Sequence, residues 1–214
     1  MIVLRRRPQL SEDVAASIRQ QIVTGALEPG AFVRIDETAT ELGVSATPVR
    51  EALVSLRGEG LVELVPRRGY RVSELTQQDI DDIFWLQGTI AGTLARRAAH
   101  LITDEQIDAV CALNDRLRDA VFRCDLDGIE SCEFEFHRYI NKVAGGTKLA
   151  WFLLGAVKYT PSRLYASNRQ WCEHALSSHE ELIEAFRRRD ADGVADLMCT
   201  QFLVGATLVH GLHG

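Results

Sequence analysis

No run of apolar residues in this chain approaches the roughly 20 that a membrane-spanning helix needs. The opening MIVLRRRPQ has no hydrophobic stretch long enough for a secretory signal. Those two absences argue against a membrane or exported protein. The cysteines Cys111, Cys124, Cys132, Cys172 and Cys199 are odd in number and form no C-x-x-C pair. A disulfide framework is therefore not expected, and reduced thiols in a cytoplasmic protein are. Neither a Gly-rich phosphate loop nor a nucleophile motif appears, which leaves catalysis without a carrier. Low-complexity tracts and internal repeats are absent too. With 46% apolar and 25% charged residues, the 214-residue chain has the composition of a folded globular protein, long enough for two modest domains.

Basic charge is missing overall, since the net charge is −6, but it is unevenly distributed. Residues 1–75 hold ten arginines, no lysine and ten acidic residues, so that part is neutral and the remainder carries the whole deficit. Within the neutral part the arginines gather at Arg5, Arg6, Arg7 and at Arg67, Arg68, Arg71. A neutral domain with arginines on one face can still hold a polyanion. The acidic remainder cannot help it.

The local signals in that part come in a definite order. Ser11 suits an N-cap, Glu12 and Asp13 suit a helix N-terminus, and Val14, Ile18 and Ile22 recur every fourth residue before Gly25 stops the helix. After the Pro29-Gly30 turn, a short helix is predicted over about 36–42, ended by Gly43. Ser45 can cap the next helix, and Pro48 falls in its first turn, where a missing N–H is tolerated. LVELV (61–65) and YRV (70–72) read as two strands around a Pro66-Arg67-Arg68-Gly69 tip. Helix, short helix, tight turn, capped helix and hairpin form the order of a winged helix-turn-helix. Such a recognition helix meets the major groove with its N-terminal end. Ser45 and Thr47 offer hydroxyls there, and Arg50, one turn on, can fork onto guanine or phosphate. Arg67, Arg68 and Gly69 suit a minor groove, where arginine is favoured and glycine permits close approach.

Beyond Leu75 only helical periodicity is found, with breaks predicted near 100–103, 124–127, 145–147 and 161–168. The fold expected is mainly α: a winged-helix head over 1–75 and an all-helical bundle over 76–214. Four helices of that bundle carry polar residues on apolar stripes. Gln87 sits among Ile80, Ile83, Ile90 and Leu94, while Glu133 and His137, one turn apart, sit among Ile129, Phe136 and Ile140. His179 precedes Leu182, Ile183 and Phe186, and Gln201 shares a face with Val194, Leu197, Met198, Gly205 and Leu208. A buried polar group without a partner costs roughly 1–3 kcal/mol, so these five are expected to share partners, an ion or a ligand in one pocket.

The stretches IVTGALEPGAFV and ELGVSATPVREALVSLRGEGLVELVPRRGYRV closely resemble the DNA-binding domain of GntR-family bacterial transcription regulators. The shared pattern is G-x-L-x-P-G, LGVS-x-TPVREAL, L-x-x-EGLV and P-x-RG. The resemblance implies that Ser45, Thr47 and Arg50 contact phosphates and bases, and that Arg68 and Gly69 form the wing tip. The family usually has arginine where Ala46 stands; alanine has no hydrogen-bonding group for a base edge but can touch a thymine methyl.

EFEFHRYINKVAGG and SHEELIEAFRRRDADGVADLM are similar to the FCD effector domain, which accompanies this head in the FadR subfamily. In that domain an Asp and three His often bind a metal that in turn holds a small carboxylate effector. The matching positions are Glu133, His137, His179 and, eleven residues after Asp190, Gln201 in place of the third histidine. Where the first body helix of the family shows R-x-x-x-E, this chain has Gln87 and Ala91. Glu133, His137 and His179 still form a set fit for zinc or a related divalent ion, whereas glutamine is a weak neutral donor. The missing arginine removes the obvious fork for a carboxylate; Arg163 and Arg169 are the alternative anchors.

The expectation is thus a cytoplasmic homodimer that binds a palindromic double-stranded operator, acts as a repressor, and is controlled by a small-molecule effector. Two other readings stand beside it. One is a ligand-independent DNA-binding regulator with a degenerate pocket. The other is a metal-dependent hydrolase on Glu133, His137 and His179, which leaves the head unexplained.

Overall fold

The computed structural model describes residues 8–210, so Arg5, Arg6 and Arg7 lie outside the described residues. The chain divides into two compact units between Asp79 and Ile80.

The first unit opens with α1 (Pro8–Val23), which buries Val14, Ala15, Ile18, Ile22 and Val23. The helix already includes Pro8, so Ser11 lies within it and not at its cap. After α2 (Ile35–Glu41) the chain turns through Gly43, whose φ of +65° only glycine adopts without strain, into α3 (Ala46–Gly58). Pro48, Val49, Ala52, Leu53 and Leu56 form the buried side of α3, against α1 and α2. The wing is a three-stranded antiparallel sheet in the order β1-β3-β2, built from β1 (Phe32–Val33), β2 (Val62–Val65) and β3 (Gly69–Val72). The sequence signals two of these strands and misses β1, whose two residues are too few to display an alternation.

One buried ion pair holds the head together. Arg19 of α1, only 2% exposed, donates from Nε and Nη2 to the two carboxylate oxygens of Glu59, each at 2.7 Å. Glu59 is the residue at which α3 ends, so this bidentate fork ties the first helix to the last.

Among the described residues the second unit has seven α-helices: α4 (Gln77–Leu101), α5 (Asp104–Phe122), α6 (Leu126–Val143), α7 (Thr147–Ala156), α8 (Ser162–Ser167), α9 (Arg169–Arg187) and α10 (Ala191–His210). The segment predicted as a break over 161–168 is itself mostly the short helix α8. A further break falls at 188–190, where Arg189 takes a φ of +57° and the Asp190 carboxylate accepts from the Gly193 amide to start α10. Leu94, Phe136, Ile140, Leu182, Phe186 and Met198 meet in the common core. Against the expectation of no membrane-length apolar run, α10 is long and apolar enough to cross a membrane by length and composition. Within the bundle it buries Val194, Met198, Gln201 and Val209, as a core helix does.

Helices α4 and α10 approach backbone to backbone. A methyl group built on Gly92 would stand 2.8 Å from the Ala195 carbonyl oxygen, and one on Gly88 would stand 3.1 Å from that of Cys199. Gly88 and Gly92 are one turn apart, as are Ala195 and Cys199, so two pairs of small residues form a continuous seam.

Candidate functional site

The outward side of α3 carries Thr47, Arg50, Glu51, Val54, Ser55 and Arg57, all exposed, opposite its buried side. Ser45 occupies the N-cap position with extended backbone (φ −81°, ψ 164°) but its hydroxyl makes no capping hydrogen bond, contrary to the expectation that it caps through its side chain. The amides of the first turn thus point out of an exposed helix end, the arrangement that favours a phosphate oxygen. Ala46 is the first helical residue and half-buried.

The wing separates its arginines. Arg67 sits at the tip in a left-handed conformation (φ +64°) and is exposed, next to Gly69 at φ +101°. The Arg68 guanidinium lies over the Phe32 ring, 4.6 Å from its centroid, which keeps its stem on the sheet with the charge at the edge. Arg71, counted with these two from sequence, is instead engaged along the strands with Glu63, its Nε donating at 2.6 Å.

In the body, four of the five predicted polar residues come together. His137 Nε2 lies 3.6 Å from Glu133 Oε2, and His179 Nε2 lies 3.8 Å from the same oxygen. Gln201 Nε2 is 3.0 Å from His179 Nε2, and the Asn114 side-chain oxygen is 3.1 Å from His179 Nδ1. An amide nitrogen can only donate, so Nε2 of His179 accepts from Gln201 and the ring proton sits on Nδ1, donated to Asn114. Phe136 stacks flat on His179 with ring centroids 3.6 Å apart, fixing its plane. Burial lowers the pKa of His179 to about 4, with Glu133 opposing that shift, so the imidazole is neutral at physiological pH. Burial pushes Glu133 upward, but attraction to His179 and a hydrogen bond and attraction from His137 outweigh it, and its carboxyl titrates below the ordinary value.

Two oxygens in this cluster, Glu133 Oε1 and Gln201 Oε1, are buried without a hydrogen-bond partner. Donor atoms of Glu133, His137 and His179 lie within 4.8 Å of one another. A tetrahedral ion with bonds of ~2.0–2.1 Å holds its donors about 3.3 Å apart, so the two separations from Glu133, 3.6 and 3.8 Å, need only a small closure, while the two histidines must draw together about the same point. The neutral His179 already donates its far nitrogen to an oxygen, as metal-bound histidines do.

Gln87 does not join this group. It is fully buried, its amide nitrogen donates to the Ala156 carbonyl at 2.9 Å, and its oxygen accepts from Thr160 at 3.3 Å, joining α4 to the end of α7. Arg163 and Arg169 are not anchors for the cluster either. Arg163 pairs on the surface with Asp127 and Glu130, and Arg169 pairs with Glu173 at 2.9 Å. Both are long exposed side chains that find carboxylates on their own surface before anything in the core. Asn114, which orients His179, was not singled out from sequence. The stripe Ile107, Val110, Asn114, Leu117 of α5 would have revealed it, but the polar neighbours Asp115 and Arg116 mask it.

A winged-helix head joined to an all-helical body defines a class of two-domain transcription regulators. The family model for bacterial regulatory proteins of the gntR family matches residues 10–72, and that for the FCD domain matches residues 82–202. The chain belongs to the GntR family of regulators and carries an FCD domain. It is 29% identical over 197 residues to the HTH-type transcriptional repressor RspR of Escherichia coli K12, covering 91% of this chain and 86% of that protein. It is also 29% identical over 203 residues to the HTH-type transcriptional regulator YdfH of Escherichia coli O6:H1, covering 94% and 88%. The solved structure of E. coli McbR/YncC shares its fold over 100% of both chains, with a TM-score of 0.71 and 20% identity. The hydrolase reading falls, because the matched family is one of regulatory proteins and the relative RspR is named a transcriptional repressor.

Proposed function

We propose that this chain is a cytoplasmic, homodimeric repressor of the FadR subfamily, with residues 1–75 as its DNA-binding domain and 76–214 as its effector-binding and dimerisation domain. Ser45, Ala46, Thr47 and Arg50 face the major groove, while Arg67, Arg68 and Gly69 reach the minor groove. The observation that supports this most strongly is the exposed N-terminal end of α3, with an unused Ser45 hydroxyl and Thr47 and Arg50 on one open face. Repression follows from the likeness to RspR, itself a transcriptional repressor. Dimerisation through the body is supported by Trp85 and Leu86 on α4 and Trp151, Phe152 and Leu154 on α7, large apolar side chains left exposed. Two heads on a two-fold axis call for a palindromic operator.

Selection from a random DNA pool tests this. The wild type is expected to enrich a palindrome, and Ala46→Arg is expected to shift the consensus toward guanine at one position of each half-site, because a guanidinium forks onto guanine where a methyl cannot. Selection of no sequence by either protein would refute DNA reading by α3.

The same reading gives the body its control site. Glu133, His137 and His179 would hold a divalent ion such as zinc, and a half-turn of the Gln201 amide would offer its oxygen as a weak fourth donor. That ion would satisfy both orphan oxygens and supply the positive charge that holds a carboxylate effector. No arginine or lysine hydrogen-bonds the cluster among the described residues. After dialysis against chelator, Gln201→His is expected to retain close to one zinc per chain and the wild type clearly less, by elemental analysis. Metal-free protein in both cases would favour the other reading, a ligand-independent regulator.

A further inference from the structure

Val54 is 57% exposed, a large apolar residue standing in water on a helix whose apolar side is otherwise buried. At 100° per residue, Thr47 and Arg50 lie 60° apart around α3, and Val54 falls between them in angle, in the middle of the exposed arc. It stands one turn beyond Arg50, about 6 Å further along the axis, which is less than two base-pair steps. A valine is stiff at χ1, so its two methyl groups are presented in one direction. They cannot hydrogen-bond a base edge or a phosphate. In the major groove the one apolar feature a base pair offers is the C5 methyl of thymine. Ala46, at the start of the same helix, is limited in the same way.

Resting on the reading of α3 as the groove-facing helix, we infer that Val54 is a specificity residue that contacts the methyl group of a thymine in each half-site. The operator is therefore constrained to thymine at a position beneath the third turn of α3, within two base pairs of the one that Arg50 reads. A cytosine placed there has no C5 methyl, so the Val54 methyl groups would meet no apolar partner on the base.

The duplex selected by the wild-type protein supplies the probe. Its thymines are replaced one at a time by deoxyuridine, which deletes the methyl and nothing else, and affinities are measured for wild type, Val54→Ala, Val54→Thr and Arg50→Ala. One replacement per half-site is expected to weaken wild-type binding about fourfold, the worth of one methyl withdrawn from an apolar contact. Val54→Ala is expected to bind the unmodified duplex about sixteenfold more weakly than wild type, because the contact is lost in both half-sites, and to ignore the same replacement. Val54→Thr, which keeps one methyl, should show a smaller loss at that position. Circular dichroism of both variants should match the wild type, since the side chain is exposed. The inference is overturned if Val54→Ala responds to every replacement as the wild type does, or if the wild type responds to none. If Arg50→Ala binds the selected duplex as tightly as wild type, the groove-facing reading of α3 fails, and this inference with it.

Discussion

Replacing Arg50 by alanine should lower affinity for the selected operator about a hundredfold at physiological salt while leaving the circular dichroism spectrum and melting temperature unchanged. Arg50 is exposed, so its removal opens no cavity in the head. A bidentate arginine–guanine pair is worth roughly 1–3 kcal/mol of discrimination, and a two-fold symmetric complex loses the pair twice. The remaining phosphate contacts of Ser45, Thr47 and the wing would sustain weak, salt-sensitive binding to any sequence. Anisotropy titrations against the operator and a scrambled duplex measure both effects. A loss equal on the two duplexes would mean that Arg50 contacts phosphate and does not read a base.

The largest stability effect is expected away from the DNA face. Glu59→Ala should destabilise the head by about 3 kcal/mol, because it deletes the carboxylate opposite a guanidinium that is only 2% exposed. Hydrogen exchange on the full chain should show the amides of α1 and α3 opening faster by about two orders of magnitude, with those of α9 unchanged. A double replacement, Arg19→Met with Glu59→Leu, should recover most of the loss by putting apolar volume where two charges were. A destabilisation below about 1 kcal/mol would show that the fork is not what holds α1 onto α3.

What could be read from the chain follows from which forces act locally. The apolar stripes were legible because a helix repeats its facing every three or four residues: Ile80 and Leu94, Phe136 and Ile140, Leu182 and Phe186 are buried where that period puts them. Turns announced themselves through Gly43 and the Pro66–Gly69 tip. The convergence of Glu133, His137, His179 and Gln201 was legible only as polar residues on those stripes, since periodicity says which way a side chain points and not which helix it meets. Gln87 obeyed the same period yet found its partners at Ala156 and Thr160. The fork between Arg19 and Glu59 joins residues 40 apart, and nothing near either one distinguishes it from an ordinary surface charge. Arg163 and Arg169 mislead for the opposite reason: a cation needed in the core was sought among side chains that reach surface carboxylates at no desolvation cost.

The glycine seam between α4 and α10 leaves the body no mechanical play at that contact. Where side chains separate two helices, a small displacement of one is absorbed by rotamer changes in between. Here the Ala195 and Cys199 carbonyls stand directly over Gly92 and Gly88, with only the short Cys199 side chain beside them to repack. Gln201 is carried by the same helix, six residues beyond Ala195. If an ion drew Gln201 toward the cluster, as proposed above, the resulting shift of α10 would be felt at α4 through this contact. That helix begins at Gln77, four residues of chain after β3 ends at Val72.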